Sequence, residues 1–130
     1  MDVFNLTVKQ ISAKIKDAQL TSVDLCKSYI ERIKKFEKDI HAWAHFDEKI
    51  LLEKAEESDN HRRSGKPLGL LHGIPVALKD IIGTLDMPTE CGTVFRKGMS
   101  ASQDAEVVDL LKTEGAIIMG KTATSELAYY

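Results

Sequence analysis

The stretch Pro67-Leu68-Gly69-Leu70-Leu71-His72-Gly73-Ile74-Pro75-Val76-Ala77-Leu78-Lys79-Asp80 decides how this chain is read. Its turn formers Pro67, Gly69, Gly73 and Pro75 deliver a short apolar run, Ile74 to Leu78, that stops abruptly at Lys79 and Asp80. A run of that length bounded by glycine and proline reads as a buried strand, too short to be a helix. In open α/β sheets the crevice beyond the carboxyl ends of the strands is where ligands and chemistry sit. Lys79 would stand there.

Downstream, Gly83 to Met99 holds Pro88, Gly92, Gly98 and several threonines, the composition of a loop crossing the carboxyl edge of a sheet. Ser102 is a good N-cap, with Asp104 and Glu106 suited to the positive end of the dipole. Val107, Val108 and Leu111 give an apolar face up to the glycine stop at Gly115. Ala116 to Gly120 reads as a second buried strand. Strand, loop, helix and strand make a βαβ unit, expected to be parallel, right-handed and covered on both faces. The second strand also ends at a lysine, Lys121, expected beside Lys79, with Thr122 and Thr124 opening a last helix.

Upstream the pattern is helical. Thr7-Val8-Lys9-Gln10 is a capping-box pattern, and Val8, Ile11 and Ile15 share a face, which predicts a helix over about 8–17. Thr21-Ser22-Val23-Asp24 repeats the signal. Val23, Cys26, Ile30 and Ile33 then form a stripe, widened by Leu25, Tyr29 and Phe36, over roughly 22–38. Ala42, Ala44 and Phe46 alternate with Trp43 and His45, suggesting a short extended segment. A further helix runs from about Glu48 to Arg62, closed by Gly65 and Pro67. Residues 1–66 read as a helical region packing on the sheet and 67–130 as the βαβ unit, together one domain. The fold class is α/β: a mixed or mostly parallel sheet covered by helices.

The totals exclude several functions. A net charge of −2 lacks the dense positive field that nucleic-acid binding needs, and the clusters Lys34-Lys35 and His61-Arg62-Arg63 with Lys66 read as solvated surface. The first residues show no signal-peptide pattern, and no run approaches about 18 apolar residues, so no membrane span is expected. Cys26 and Cys91 stand far apart with no C-x-x-C, which points to a reduced, cytoplasmic setting.

A lysine at a strand end is ordinarily a solvated cation. Apolar neighbours and a second ammonium at Lys121 would lower the pKa of Lys79, as a proton acceptor near neutral pH requires. Such a base needs a nucleophile, and no serine here sits in a Gly-x-Ser-x-Gly elbow or another Gly-Ser-rich turn. His41 and His45 are spaced as metal ligands on a helix face would be, but they lack an H-E-x-x-H glutamate and an evident third ligand, and the segment reads as extended. No metal or cofactor is expected. Lys79, Glu90 and Cys91 could compose a thiol-based C–N hydrolase, although adjacent Glu90 and Cys91 would point apart. His72 reads as a loop histidine bordering the site. Tyr129 and Tyr130 read as half-exposed core.

The block Leu71-His72-Gly73-Ile74-Pro75-Val76-Ala77-Leu78-Lys79-Asp80 resembles the first signature block of the amidase signature family. The likeness continues through Met87-Pro88-Thr89-Glu90-Cys91-Gly92-Thr93, through Asp104-Ala105-Glu106-Val107-Val108, and through Gly115-Ala116-Ile117-Ile118-Met119-Gly120-Lys121-Thr122. The resemblance implies hydrolysis or transfer of an amide nitrogen on a small-molecule amide substrate. The nucleophile would be a serine, helped by a second serine on a cis peptide and by a lysine, which Lys79 matches. It implies further that both serines and the oxyanion-hole turn lie beyond Tyr130, so these residues read as an incomplete, N-terminal portion of that fold, inactive alone. The A subunits of tRNA-dependent amidotransferases carry Asn and then Asp-Glu-Phe after Gly-Lys-Thr, whereas this chain has Ala123 and then Ser125-Glu126-Leu127, which leans towards a stand-alone amidase. A non-catalytic binding or scaffold module, self-associating through its unfinished sheet edge, is the remaining alternative.

Overall fold

The computed structural model describes residues 2–129. In chain order the elements are α1 (Val8–Lys16), α2 (Ser22–Ile40), β1 (Trp43–Phe46), α3 (Glu48–Arg63), β2 (Pro75–Lys79), α4 (Glu106–Thr113) and β3 (Ile117–Thr122). Three short 3-10 turns occupy Val3–Asn5, Val94–Arg96 and Glu126–Ala128. The strands form one mixed sheet in the order β1-β3-β2, with β2 parallel and β1 antiparallel to β3. The βαβ unit is therefore present, with α4 as its crossover helix.

The helix starts follow from their caps. Thr7 closes a reciprocal capping box: the Gln10 N–H donates to Thr7 Oγ1 at 3.3 Å and the Thr7 N–H donates to Gln10 Oε1 at 2.8 Å. Thr21 Oγ1 accepts from the Asp24 N–H at 3.0 Å, and Asp47 Oδ1 from the Ile50 N–H at 3.0 Å. A further cap comes from a different helix. Asp59 of α3 is buried and accepts from the Ser22 N–H at 2.9 Å and the Val23 N–H at 3.1 Å, which fastens α3 to the positive end of α2.

Two expectations for the C-terminal part are corrected. Ser102 does not cap a helix. α4 begins only at Glu106, after Ala105, because Asp104 spends its carboxylate on the Leu85 N–H at 2.8 Å and on Lys112. Among the described residues no α-helix follows Thr122: residues 126–128 make one 3-10 turn, and the positive φ of Leu127 (51°) and Ala128 (56°) prevents an α-helix from propagating.

Residues 117 and 118 face opposite ways along β3. Ile117 joins Met119, Cys26 and Ile30 of α2, and Leu51 and Ala55 of α3. Ile118 joins Leu78, Met87 and Val108 of α4. α1 contributes Ile11 and Ile15 to a third cluster with Val3, Leu25 and Ile74. Among the described residues no helix is long and apolar enough to cross a membrane.

Replacing Asp59 with alanine leaves one buried and one part-buried N–H group of α2, those of Ser22 and Val23, without their partner. We expect a loss of about 1–3 kcal/mol in denaturant unfolding. An unchanged midpoint would show that the cap contributes nothing.

Candidate functional site

The two parallel strands end at the same edge, each beside a lysine, and the structure treats those lysines in opposite ways. Lys79 is the last residue of β2 and is exposed. Lys121, in β3, is 0% exposed. The separation comes from one irregularity of register. Pro75 and Val76 pair with Ile117 and Ile118, but Ala77 pairs with Gly120, so Met119 is an extra residue in β3. Lys121 consequently sits opposite Leu78 and shares its face, while Lys79 pairs with Thr122 on the other face. Without the bulge Lys121 would pair with Lys79. The two strand-end lysines, expected side by side from sequence, are therefore segregated onto opposite faces.

On its face Lys121 meets a prepared environment. Its Nζ donates to the Ile82 carbonyl at 2.7 Å and to Thr89 Oγ1 at 2.7 Å, and lies 4.0 Å from Asp80 Oδ1. Asp80 is itself 2% exposed and accepts from the Glu90 N–H at 3.1 Å. Burial pushes the Lys121 pKa below its ordinary value, and the Asp80 carboxylate opposes that shift. Every partner of Lys121 belongs to residues 80–89, so this cation clamps the segment after β2 onto β3.

Backbone bonds extend the clamp. The Asp80 N–H donates to Thr122 O at 2.9 Å, the Cys91 N–H to Asp80 O at 2.9 Å, and the Leu127 N–H to Cys91 O at 2.8 Å. Cys91 and Gly92 both have positive φ, 54° and 65°. A Cβ on Gly92 would lie 2.7 Å from the Thr124 carbonyl, so this turn needs glycine for contact as well as for conformation. Lys79, Thr122 and Trp43 stand in one register row across the three strands, and that row borders the clamped loop.

The other candidates separate. Glu90 spends Oε1 on the Gly98 N–H at 2.7 Å, which anchors a loop rather than activating Cys91. His41 is the left-handed C-cap of α2 and His45 lies in β1, so they share no helix face. Among the described residues no three His, Cys, Asp or Glu side chains gather as a metal site. His72 precedes β2 and thus lies at the opposite edge from Lys79, with Nε2 3.1 Å from Ser58 Oγ and 3.0 Å from the Ser58 carbonyl. Desolvation pulls its pKa down, against the hydrogen bond to Ser58. Tyr129 is exposed rather than half-buried, and Tyr130 lies outside the described residues. Sequence reasoning missed Asp80 and Thr89 as the seat of a buried cation. The one available signal was an acidic residue placed directly after the strand.

A parallel βαβ core whose strands end in one exposed and one sequestered lysine defines an α/β protein with its candidate chemistry at the carboxyl edge. Comparison with known proteins identifies which one: the Amidase family model matches residues 24–130, and the chain belongs to the amidase signature family. It is 37% identical over 127 residues to the glutamyl-tRNA(Gln) amidotransferase A subunit of Streptomyces coelicolor, covering 98% of this chain and 26% of that protein. It is 39% identical over 122 residues to the mitochondrial counterpart from Mus musculus, covering 94% and 23%. Among solved structures, the native peptide amidase of Stenotrophomonas maltophilia superposes with a TM-score of 0.88 at 32% identity, covering 96% of this chain and 26% of that one. The chain spans about a quarter of the length of these relatives, and its mixed α/β architecture matches the N-terminal part of the amidase signature fold.

Lys121→Met leaves the Asp80 carboxylate buried without its cation, and we expect a loss of about 3–5 kcal/mol at neutral pH. The pH dependence has a definite sign. Because the folded-state pKa lies below 10.5, the unfolded chain binds the proton more tightly. Stability therefore rises with pH across the window from the folded value to 10.5. Cys26, raised from 9.0 to about 12 by burial, acts oppositely above pH 9. Subtracting the Lys121→Met pH profile from that of the unsubstituted protein isolates the lysine, and a flat difference would contradict the account.

The thiols differ as well. Iodoacetamide on the native protein at about pH 7.5 is expected to modify Cys91 alone, with Cys26 reacting only after unfolding, as read by peptide mass mapping.

Proposed function

We propose that this chain contributes the lysine of a C–N hydrolase that works by a Ser-cis-Ser-Lys relay, with Lys79 as proton carrier. The carrying observation is the fate of the two strand-end lysines: Lys121 is committed to Ile82, Thr89 and Asp80, whereas Lys79 is exposed at the carboxyl edge. A neutral Lys79 amine takes, through the bridging serine, the proton that the nucleophilic serine gives up as its oxygen attacks the amide carbon. The proton then passes to the leaving nitrogen as the C–N bond breaks. The acyl group remaining on the serine is released to water, or to an amine in a transfer reaction. Neither serine in its glycine-rich turn occurs within these 130 residues, so they alone are expected to turn over no amide.

Both branches of the family remain within reach of this reading. The similarity to amidotransferase A subunits, at 37% and 39% identity, supports the transfer branch. Ala123 weighs against it: the residue is exposed and its methyl group has no donor or acceptor to replace an asparagine amide.

The test is a continuous chimera in which this sequence replaces the matching quarter of the Stenotrophomonas maltophilia peptide amidase, assayed on a chromogenic amide. Lys79→Ala should lower kcat/KM by about 100-fold or more with an unchanged unfolding midpoint. Full activity in that variant, or Lys79-dependent turnover by the 130 residues alone, would overturn the proposal.

A further inference from the structure

At the amino edge of the sheet, away from Lys79, two histidines form a reciprocal clasp between α3 and the segment that leads into β2. His61 of α3 places Nε2 3.0 Å from the Pro67 carbonyl, and His72 of the segment places Nε2 3.0 Å from the Ser58 carbonyl of α3. A carbonyl oxygen only accepts, so each ring donates from Nε2 and keeps Nδ1 as its acceptor. His72 Nε2 is therefore not a base for Ser58 Oγ, 3.1 Å away, and the two are not a nucleophile and its activator. The ring centroids stand 5.3 Å apart.

A second proton on His72 would enter an unfavourable setting. The residue is 7% exposed, and its Nδ1 side lies against Gly115, where an added Cβ would come within 3.2 Å. From α3, Arg62 and a charged His61 repel the proton. Asp59 attracts it, but both Asp59 oxygens already accept from the Ser22 and Val23 N–H groups, and Glu57 is exposed. In the cavity shared with α4, Asp86 is bound by Lys54 at 2.6 Å, with Lys112 3.8 Å away. Glu114, which follows α4, accepts from the Leu70 N–H at 2.8 Å. On the α1 side the facing charges are Lys16 and Lys66, and α2 presents the Ser22 hydroxyl.

We propose that His61 and His72 form an acid-sensitive latch: a proton on His72 opens the clasp and frees residues 64–73 from α3 while the sheet stays paired. The Nε2 bond itself survives protonation. The drive to open is desolvation together with the neighbouring cations, and both are relieved when the ring reaches water. The latched ring binds a proton less readily than the freed one, so lowering the pH through the histidine range favours the open form. Opening is local, because the β2–β3 ladder begins at Pro75 and Ile117, and the clusters around Ile117 and Ile118 draw on no described residue of 64–73. The latch does not depend on the reading of Lys79.

Amide hydrogen exchange of the 130-residue protein between about pH 7.5 and 5.0, corrected for intrinsic rates, tests it. The probes are residues 70–73, whose N–H groups bond to Glu114, Gly69 and Gly115. Their protection is expected to fall about tenfold or more over that range, while residues 117–122 keep theirs. His72→Gln carries an amide that donates without titrating, and it should hold the pH 7.5 protection to within about twofold. His41→Asn, at the left-handed cap of α2, should behave as the unsubstituted protein. Proton NMR of the unsubstituted protein needs no variant, and the His72 ring should titrate below 6.5. Equal protection at both ends of the range, a parallel loss across 117–122, a tenfold fall retained in His72→Gln, or a His72 ring titrating at or above 6.5 would each overturn the proposal.

Discussion

The arrangement at the carboxyl edge depends on one buried cation. Lys121 exchanges hydration for two short hydrogen bonds and the Asp80 carboxylate, and all of these come from the segment that leaves β2. An ammonium in an apolar setting is tolerated only when its donors are satisfied, so the path of residues 80–89 is fixed by the need to satisfy it. The Cys91-Gly92 turn and the Leu127 contact then follow from the position of Asp80. A buried pair of this kind adds little net stability compared with well-packed apolar residues. Its contribution is to dictate a single loop conformation beside an otherwise open strand end.

Most of the architecture was legible in the sequence because it rests on short-range rules. Thr7, Thr21 and the stripes of α1 and α2 declare themselves through caps and period, and Gly65 and Pro67 stop α3. Ile74 to Leu78, bounded by glycine and proline, is read as a strand for the same reason, and β2 spans Pro75–Lys79. The errors lie where a long-range partner overrides a local signal. Ser102 has the chemistry of a cap, but Asp104 is recruited by Leu85 and Lys112, and the helix starts later. Beyond Thr122 the threonines favour a helix start, but the bond from Leu127 to Cys91 accompanies a left-handed backbone that interrupts it.

The site was half legible. The place of Lys79 at a strand end follows from where the apolar run stops, and the family likeness marks the same residue. Which of the two lysines is buried does not follow from any local pattern, since both end apolar runs beside small or polar residues. The answer is set by the pairing of β2 with β3, and therefore by a register that only the assembled sheet defines.

The extra residue in β3 has a consequence for how this region can vary. Met119 and Gly120 both lie towards the face that bears Ala77, and a Cβ on Gly120 would meet the His45 carbonyl at 2.5 Å, so little can be exchanged there. Dropping a single codon between Ile118 and Lys121 would swing the sequestered ammonium through to the opposite surface and strand Asp80 without its counter-ion. The length of this strand is thereby held constant by charge, while the identity of residue 120 is held by shape.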